Sequence, residues 1–274
     1  MTTVGHEPRP SNEPASRGSG AEAATLEYVL QLADNGLVLA QRLSGWVGHG
    51  PILEEDIALT NVGLDLLGQS RLWFAYAQDL EAVAAGVGRS EDQFAFLRDA
   101  REFRNLLLVE QPNGSYADTM ARQFLFDQWH AVVLRALSAS TDARIAEIAA
   151  KALKEVAYHV ERSSEWVIRL GDGTGESHER MQAAIDDLWT FTAEMFTADD
   201  AETMLIEAGV AADVRALRPA WNAAVDAVLE EATLARPEAG FERIGGKRGL
   251  HGEDFGRLLA EMQFLQRAYP DAAW

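Results

Sequence analysis

From Thr25 onward the apolar residues of this 274-residue chain return at three- and four-residue intervals and almost nowhere alternate. That period is the α-helical one and leaves little room for a sheet. Leu26, Leu30, Ala33, Leu37 and Ala40 make the first stripe, which ends near Gly45–Trp46. After the turn "GHGP" (48–51), with Pro51 placed for the first helical position, a second segment runs from about Ile52 to Leu80. It is apolar nearly all round (Ile57, Ala58, Val62, Leu64, Leu66, Leu67), which predicts burial on more than one side. Further long helices are expected over about 116–138 and 142–170, the second stopping at "GDGTG". Shorter ones are expected near 91–103, 177–196, 199–208, 213–234 and 253–268. Two long hairpins joined by one long connection predict an all-α chain with a ferritin-like four-helix bundle and additional C-terminal helices. The expected division is a disordered tail at 1–24 and a helical domain at 25–274, with the bundle core at about 25–170 and the C-terminal helices at about 177–268. The tail is expected because "MTTVGHEPRPSNEPASRGSGAEAA" is rich in Pro, Ser, Gly and Glu.

Composition narrows the function. Twenty-four Lys and Arg stand against 43 Asp and Glu, a formal charge of −19, which repels nucleic acid and anionic membranes and favours partners with basic patches. The absence of cysteine excludes disulfides, thiolate-held metal and thiol nucleophiles, and fits a cytoplasmic protein. No secretory h-region or membrane-length apolar run is expected. The Gly-rich basic stretch "GGKRGLHGE" (245–253) is read as a helix start that could hold an anion through Lys247 and Arg248.

Within the long helices, carboxylates and histidines recur among apolar neighbours. Asp127 and Glu155 are equidistant from the turn at Thr141, and Asp34 and Asp65 straddle the turn at 49–51 in the same way. Four carboxylates, one per helix, are therefore expected to meet in one layer. A carboxylate-bridged di-iron bundle uses lone carboxylates on two helices and Glu-x-x-His on the other two. Here the set is partial. Glu155 and His159 are one residue too far apart, with Val156 three before the histidine, and Gly68 follows Asp65 at the histidine position. Asp127-x-x-His130 has the spacing on a helix that calls for a lone carboxylate. Two readings follow for Asp34, Asp65, Asp127, His130, Glu155 and His159: a vestigial metal site, or a hydrogen-bonded core network with Arg122, Lys151 or Lys154 as cations. No catalytic residue and no bound metal is assigned on either. An active di-iron oxygenase with Asp34, Asp65, Asp127, Glu155 and His159 as ligands is the runner-up, and a helical adaptor unrelated to oxygen chemistry is the third.

The stretches "LADNGLVLAQRLSGWVGHGP" (32–51), "NVGLDLLGQSR" (61–71), "NLLLVEQPNGSYADTMARQ" (105–123), "KEVAYH" (154–159) and "GGKRGLHGEDFGRLLAEMQFLQR" (245–267) resemble the C subunits of bacterial phenylacetyl-CoA epoxidases. The resemblance runs from about Leu26 to the C-terminus. It implies a ferritin-like fold and a share in epoxidising the ring of phenylacetyl-CoA with dioxygen and NADPH, in aerobic phenylacetate degradation. It further implies that the di-iron centre lies in a sister subunit, that this chain pairs with it as a structural partner without a cofactor of its own, and that a bridging subunit and a reductase complete the assembly.

Overall fold

The computed structural model describes residues 16–238, 240–270 and 272. Among them every regular element is helical. Helices α1 (Ser16–Ser44) and α2 (Leu53–Ala85) form one antiparallel hairpin, and α4 (Tyr116–Leu137) and α5 (Ala143–Gly171) the other. Between them lie the short α3 (Glu91–Phe96) and a 3-10 turn at Ala100–Glu102. Helices α6 (Gly175–Trp189), α7 (Asp200–Glu207), α8 (Val214–Glu231) and α9 (Glu253–Ala268) complete a ferritin-like bundle with C-terminal additions. No helix among the described residues is long and apolar enough to cross a membrane.

Local chemistry fixes the helix ends. Ser115 caps α4 in a reciprocal capping box with Asp118, and the Asp142 side chain accepts from the Arg144 and Ile145 amides at the start of α5. α2 opens at Leu53, two residues past the Pro51 expected at the first helical position. Asp56 reaches back to accept from the Gly50 N–H at 2.9 Å, and with Glu54 and Glu55 it sets negative charge against the positive end of the helix. α1 starts at Ser16 and not near Thr25; its burial begins at Ala24 and Thr25, and residues 20–23 before them are exposed. Of the disordered tail expected at 1–24, residues 16–24 are helical in α1, and residues 1–15 lie outside the described residues.

Burial is distributed differently from the expectation. α4 is enclosed on nearly every side, with α5, α6 and α8 packed around it. Trp129 on α4 donates to the Met195 carbonyl at 2.9 Å, and Trp221 on α8 donates to the Leu125 carbonyl at 3.1 Å. These bonds let large aromatic rings be buried without stranding their N–H groups. α2 instead lies at the edge of the bundle. Leu53, Ile57, Leu64 and Leu67 recur at helical spacing on its outer face and are 71%, 51%, 60% and 39% exposed. The apolar faces of α2 thus divide between the core (Leu59, Val62, Leu66, Trp73) and solvent.

Candidate functional site: a polar layer inside the bundle

Asp34, fully buried on α1, does not join the other carboxylates. Its oxygens accept a bidentate pair of hydrogen bonds from Arg98, and Oδ2 also accepts from the Arg104 amide at 2.8 Å. Arg98 is 2% exposed, donates to the Phe94 and Glu102 carbonyls, and has its guanidinium 4.2 Å from the centre of the Phe103 ring. The connection that carries it is held in place from both sides. The Leu106 amide donates to Asn35 on α1, and Gln263 on α9 donates to the Ala95 and Arg98 carbonyls. Both Asp34 oxygens are thus engaged, by three hydrogen bonds in all.

The remaining residues give one hydrogen-bonded pair, Asp65 with His159, with Asp127 and His130 close enough to feel His159 and Glu155 held elsewhere. His159 on α5 is 1% exposed, and its Nε2 lies 3.1 Å from Asp65 Oδ2 on α2. Asp127 on α4 is buried, with Gln123 Nε2 at 3.5 Å. Burial pushes its carboxyl up to about 6, while His159, a hydrogen bond from Ser163 and the nearby Arg162 pull the other way. His130, one turn further along, is buried against the Phe126 ring at 5.0 Å. Burial and then the neighbouring His159 lower its imidazole to about 3, so it is neutral. Glu155 stands apart, half-buried, and accepts from Gln69 Nε2 at 2.9 Å in a groove of about 340 Å³ between α2 and α5. Gly68 floors that groove, with open space where a side chain would be.

The cation in this interior is Arg162 and not one of those expected. It pairs with Glu55, which also accepts from the Tyr116 hydroxyl at 2.7 Å. Burial and the bond to Glu55 hold the phenol well above its ordinary range. Lys151 and Lys154 are exposed. Arg122 is buried, but faces the Gln111 carbonyl and the Asn113 side chain at 2.8 Å, and burial lowers it to about 9.

These residues do not fit a carboxylate-bridged two-iron centre. Asp34 is consumed by Arg98, Gly68 offers no ligand, and Arg162 stands one turn from His159 on the same helix face. Among the described residues, no group of three or more His, Asp or Glu side chains is arranged to hold a metal ion.

The lysine of the basic stretch at 245–253 is likewise already neutralised, and Arg248 is exposed. Lys247, 9% exposed, donates to Glu202 at 2.7 Å and to the Thr197 carbonyl at 2.9 Å. Buried Glu194 accepts from the Leu107 and Gly245 amides at 2.8 and 2.7 Å. Buried Glu110 accepts from the Gly252 amide at 2.6 Å and meets His251 Nδ1 at 2.7 Å. A side chain at Gly246 would come 2.1 Å from the Asn105 carbonyl oxygen, so only glycine allows this approach. Carboxylates of the protein itself hold the turn, and its lysine is not free for an external anion.

Fold and site together define a ferritin-like helical protein in which Asp34 and Glu55 are answered by arginine and Asp65 by histidine, while Asp127 has no ion-pair partner among the described residues. The chain belongs to the family described as phenylacetic acid catabolic protein, which it matches over residues 9–274. It is 53% identical, over 247 residues, to the C subunit of the 1,2-phenylacetyl-CoA epoxidase of Escherichia coli (strain K12), a match covering 90% of this chain and 98% of that protein.

Proposed function

We propose that this chain is a non-catalytic, structural subunit of a multicomponent di-iron monooxygenase that epoxidises the ring of phenylacetyl-CoA. On this reading a catalytic sister subunit holds the iron, and this chain carries no cofactor. The observation that carries the reading is the Asp34–Arg98 clamp: a carboxylate on the first bundle helix is neutralised by a buried guanidinium, which removes one ligand and adds positive charge. The similarity to the C subunit of an epoxidase supports the substrate and the assembly. The outer α2 face supplies an apolar surface for the sister chain. One observation favours an iron-binding reading instead. Nδ1 of His130 and Nδ1 of His159 are buried without a hydrogen-bond partner among the described residues. Elemental analysis of the chain, alone and co-expressed with the sister subunit, after exposure to ferrous iron, decides between them. Iron is expected only in the complex and only at the sister's stoichiometry. About two irons per isolated chain, with an oxo-bridge absorption band, would overturn the proposal.

A further inference from the structure

The turn at 241–250 holds apolar side chains in water on a backbone that cannot yield. Phe241, Ile244 and Leu250 are 79%, 51% and 53% exposed. They border an open groove of about 710 Å³ that also takes in Leu107, Pro112 and Phe191. The backbone between them is buried at Gly245–Lys247 and Gly249, and is fixed by Glu194 and the Lys247–Glu202 pair, with Glu110 holding the Gly252 amide just beyond Leu250. At the edges, the Arg243 amide donates to the Thr190 carbonyl at 2.9 Å, and Thr190 Oγ1 donates to the Phe241 carbonyl. A flexible loop would fold such side chains inward. Here the anchoring forbids it, so they are presented in advance, and a partner meets little ordering cost on contact.

The charge around the groove selects the partner. Glu242, Glu253 and Asp254 line it, and the guanidinium beside them, Arg243, is placed over Phe191. Asp254 meets exposed Arg257 at 3.5 Å, whereas Glu242 and Glu253 have no ion-pair partner among the described residues. A second copy of this chain, itself at −19, is a poor occupant. We propose that this groove is a docking site for an extended segment of another protein, one that alternates Leu- or Phe-type anchors with Lys or Arg. The apolar anchors would lie against Phe241, Ile244 and Leu250, and the cations would face Glu242 and Glu253. This surface is separate from the outer face of α2, and the inference holds whether or not the chain carries iron.

The test uses the full chain and a fluorescein-labelled peptide of about ten residues alternating Leu or Phe with Lys or Arg, read by anisotropy at physiological salt. The expected result is saturable binding that weakens by about fivefold or more in Phe241→Ser and in Leu250→Ser, and by about two- to threefold in Glu253→Gln. Leu64→Ser, on the α2 face, should bind like the wild type. Because the replaced side chains are exposed, unchanged melting curves are expected and confirm that each variant is folded. Three results would each overturn the proposal: equal binding of a peptide with Ser in place of every Leu and Phe, unchanged affinity in Phe241→Ser, or no saturable binding by the wild type. Self-association of the chain that is lost in Phe241→Ser would also overturn it, by making a second copy the occupant.

Discussion

The buried carboxylates of α1 and α4 are handled in opposite ways, and each predicts its own variants. Asp34 is held in an ion pair, so Arg98→Met strands a buried charge and should cost about 3–5 kcal/mol. Adding Asp34→Asn removes that charge while keeping an acceptor for the Arg104 amide, and most of the loss should return. Urea unfolding of the single and double variants measures this, and equal losses in both would show that the clamp is not a coupled unit. Asp127 has no such partner, and its carboxyl is raised from 3.8 to about 6. Between those values the folded chain binds more protons than the unfolded one, so this contribution is complete below pH 4 and is lost as pH rises through 6. Asp127→Asn should therefore stabilise the chain at pH 7.5 by up to about 3 kcal/mol, with the gain vanishing by about pH 3.5. His130 has the opposite sign. Its imidazole is depressed from 6.5 to about 3, so its contribution is complete above pH 6.5 and is lost as pH falls toward 3. Between about pH 4 and 6 the two slopes oppose each other. His130→Asn should leave the falling Asp127 slope exposed, and Asp127→Asn the rising His130 slope. Stability difference curves against the wild type that are flat with pH would refute both assignments.

At the scale of elements, helical period made the long hairpins and the C-terminal helices legible, and α9 spans 253–268 as read. Period cannot say which side of an all-round apolar helix meets solvent. That depends on where α6 and α8 pack, and they pack on α4, leaving α2 at the edge. Equidistance from a turn paired Asp127 with Glu155 and Asp34 with Asp65, but a shared height does not fix the partner: Glu155 accepts from Gln69, Asp34 from Arg98, and Asp65 lies against His159. Arg98 comes from the connection, where no periodicity speaks. Arg162 was within reach, three residues beyond His159 and so on the same helix face. The exposed Leu53, Ile57, Leu64 and Leu67 give α2 an assembly role under the proposed function. Leu64→Asp should leave the melting temperature of the isolated chain within about 2 °C, since Leu64 is largely exposed. It should abolish co-purification with the sister chain, because a buried, unpaired charge is strongly disfavoured at an interface. Retained assembly by size exclusion would place the interface elsewhere.

At the scale of the whole molecule, charge decides what this chain does by itself. Coenzyme A esters carry several phosphate charges, and a chain at −19 repels them unless a local basic site collects them. The Gly-rich basic turn at the start of a helix, at 245–253, resembles such a site in sequence. In the structure Lys247 is bound to Glu202 and the Thr197 carbonyl, while Glu194 and Glu110 occupy amides that could otherwise meet a phosphate. Of the pair Lys247 and Arg248, only Arg248 remains exposed, and one guanidinium in an acidic field is a weak anion site. The isolated chain is therefore expected to show no saturable binding of phenylacetyl-CoA up to about millimolar concentration in calorimetry, a regime that corresponds to roughly 4 kcal/mol of affinity or less. Lys247→Met should in turn behave as a stability variant. It leaves Glu202 buried without its cation and lowers the melting temperature, yet the KM for phenylacetyl-CoA in the assembled complex stays at the wild-type value. Micromolar binding by the isolated chain, or a KM that rises with Lys247→Met in complexes of unchanged composition, would show that this turn handles the CoA ester after all.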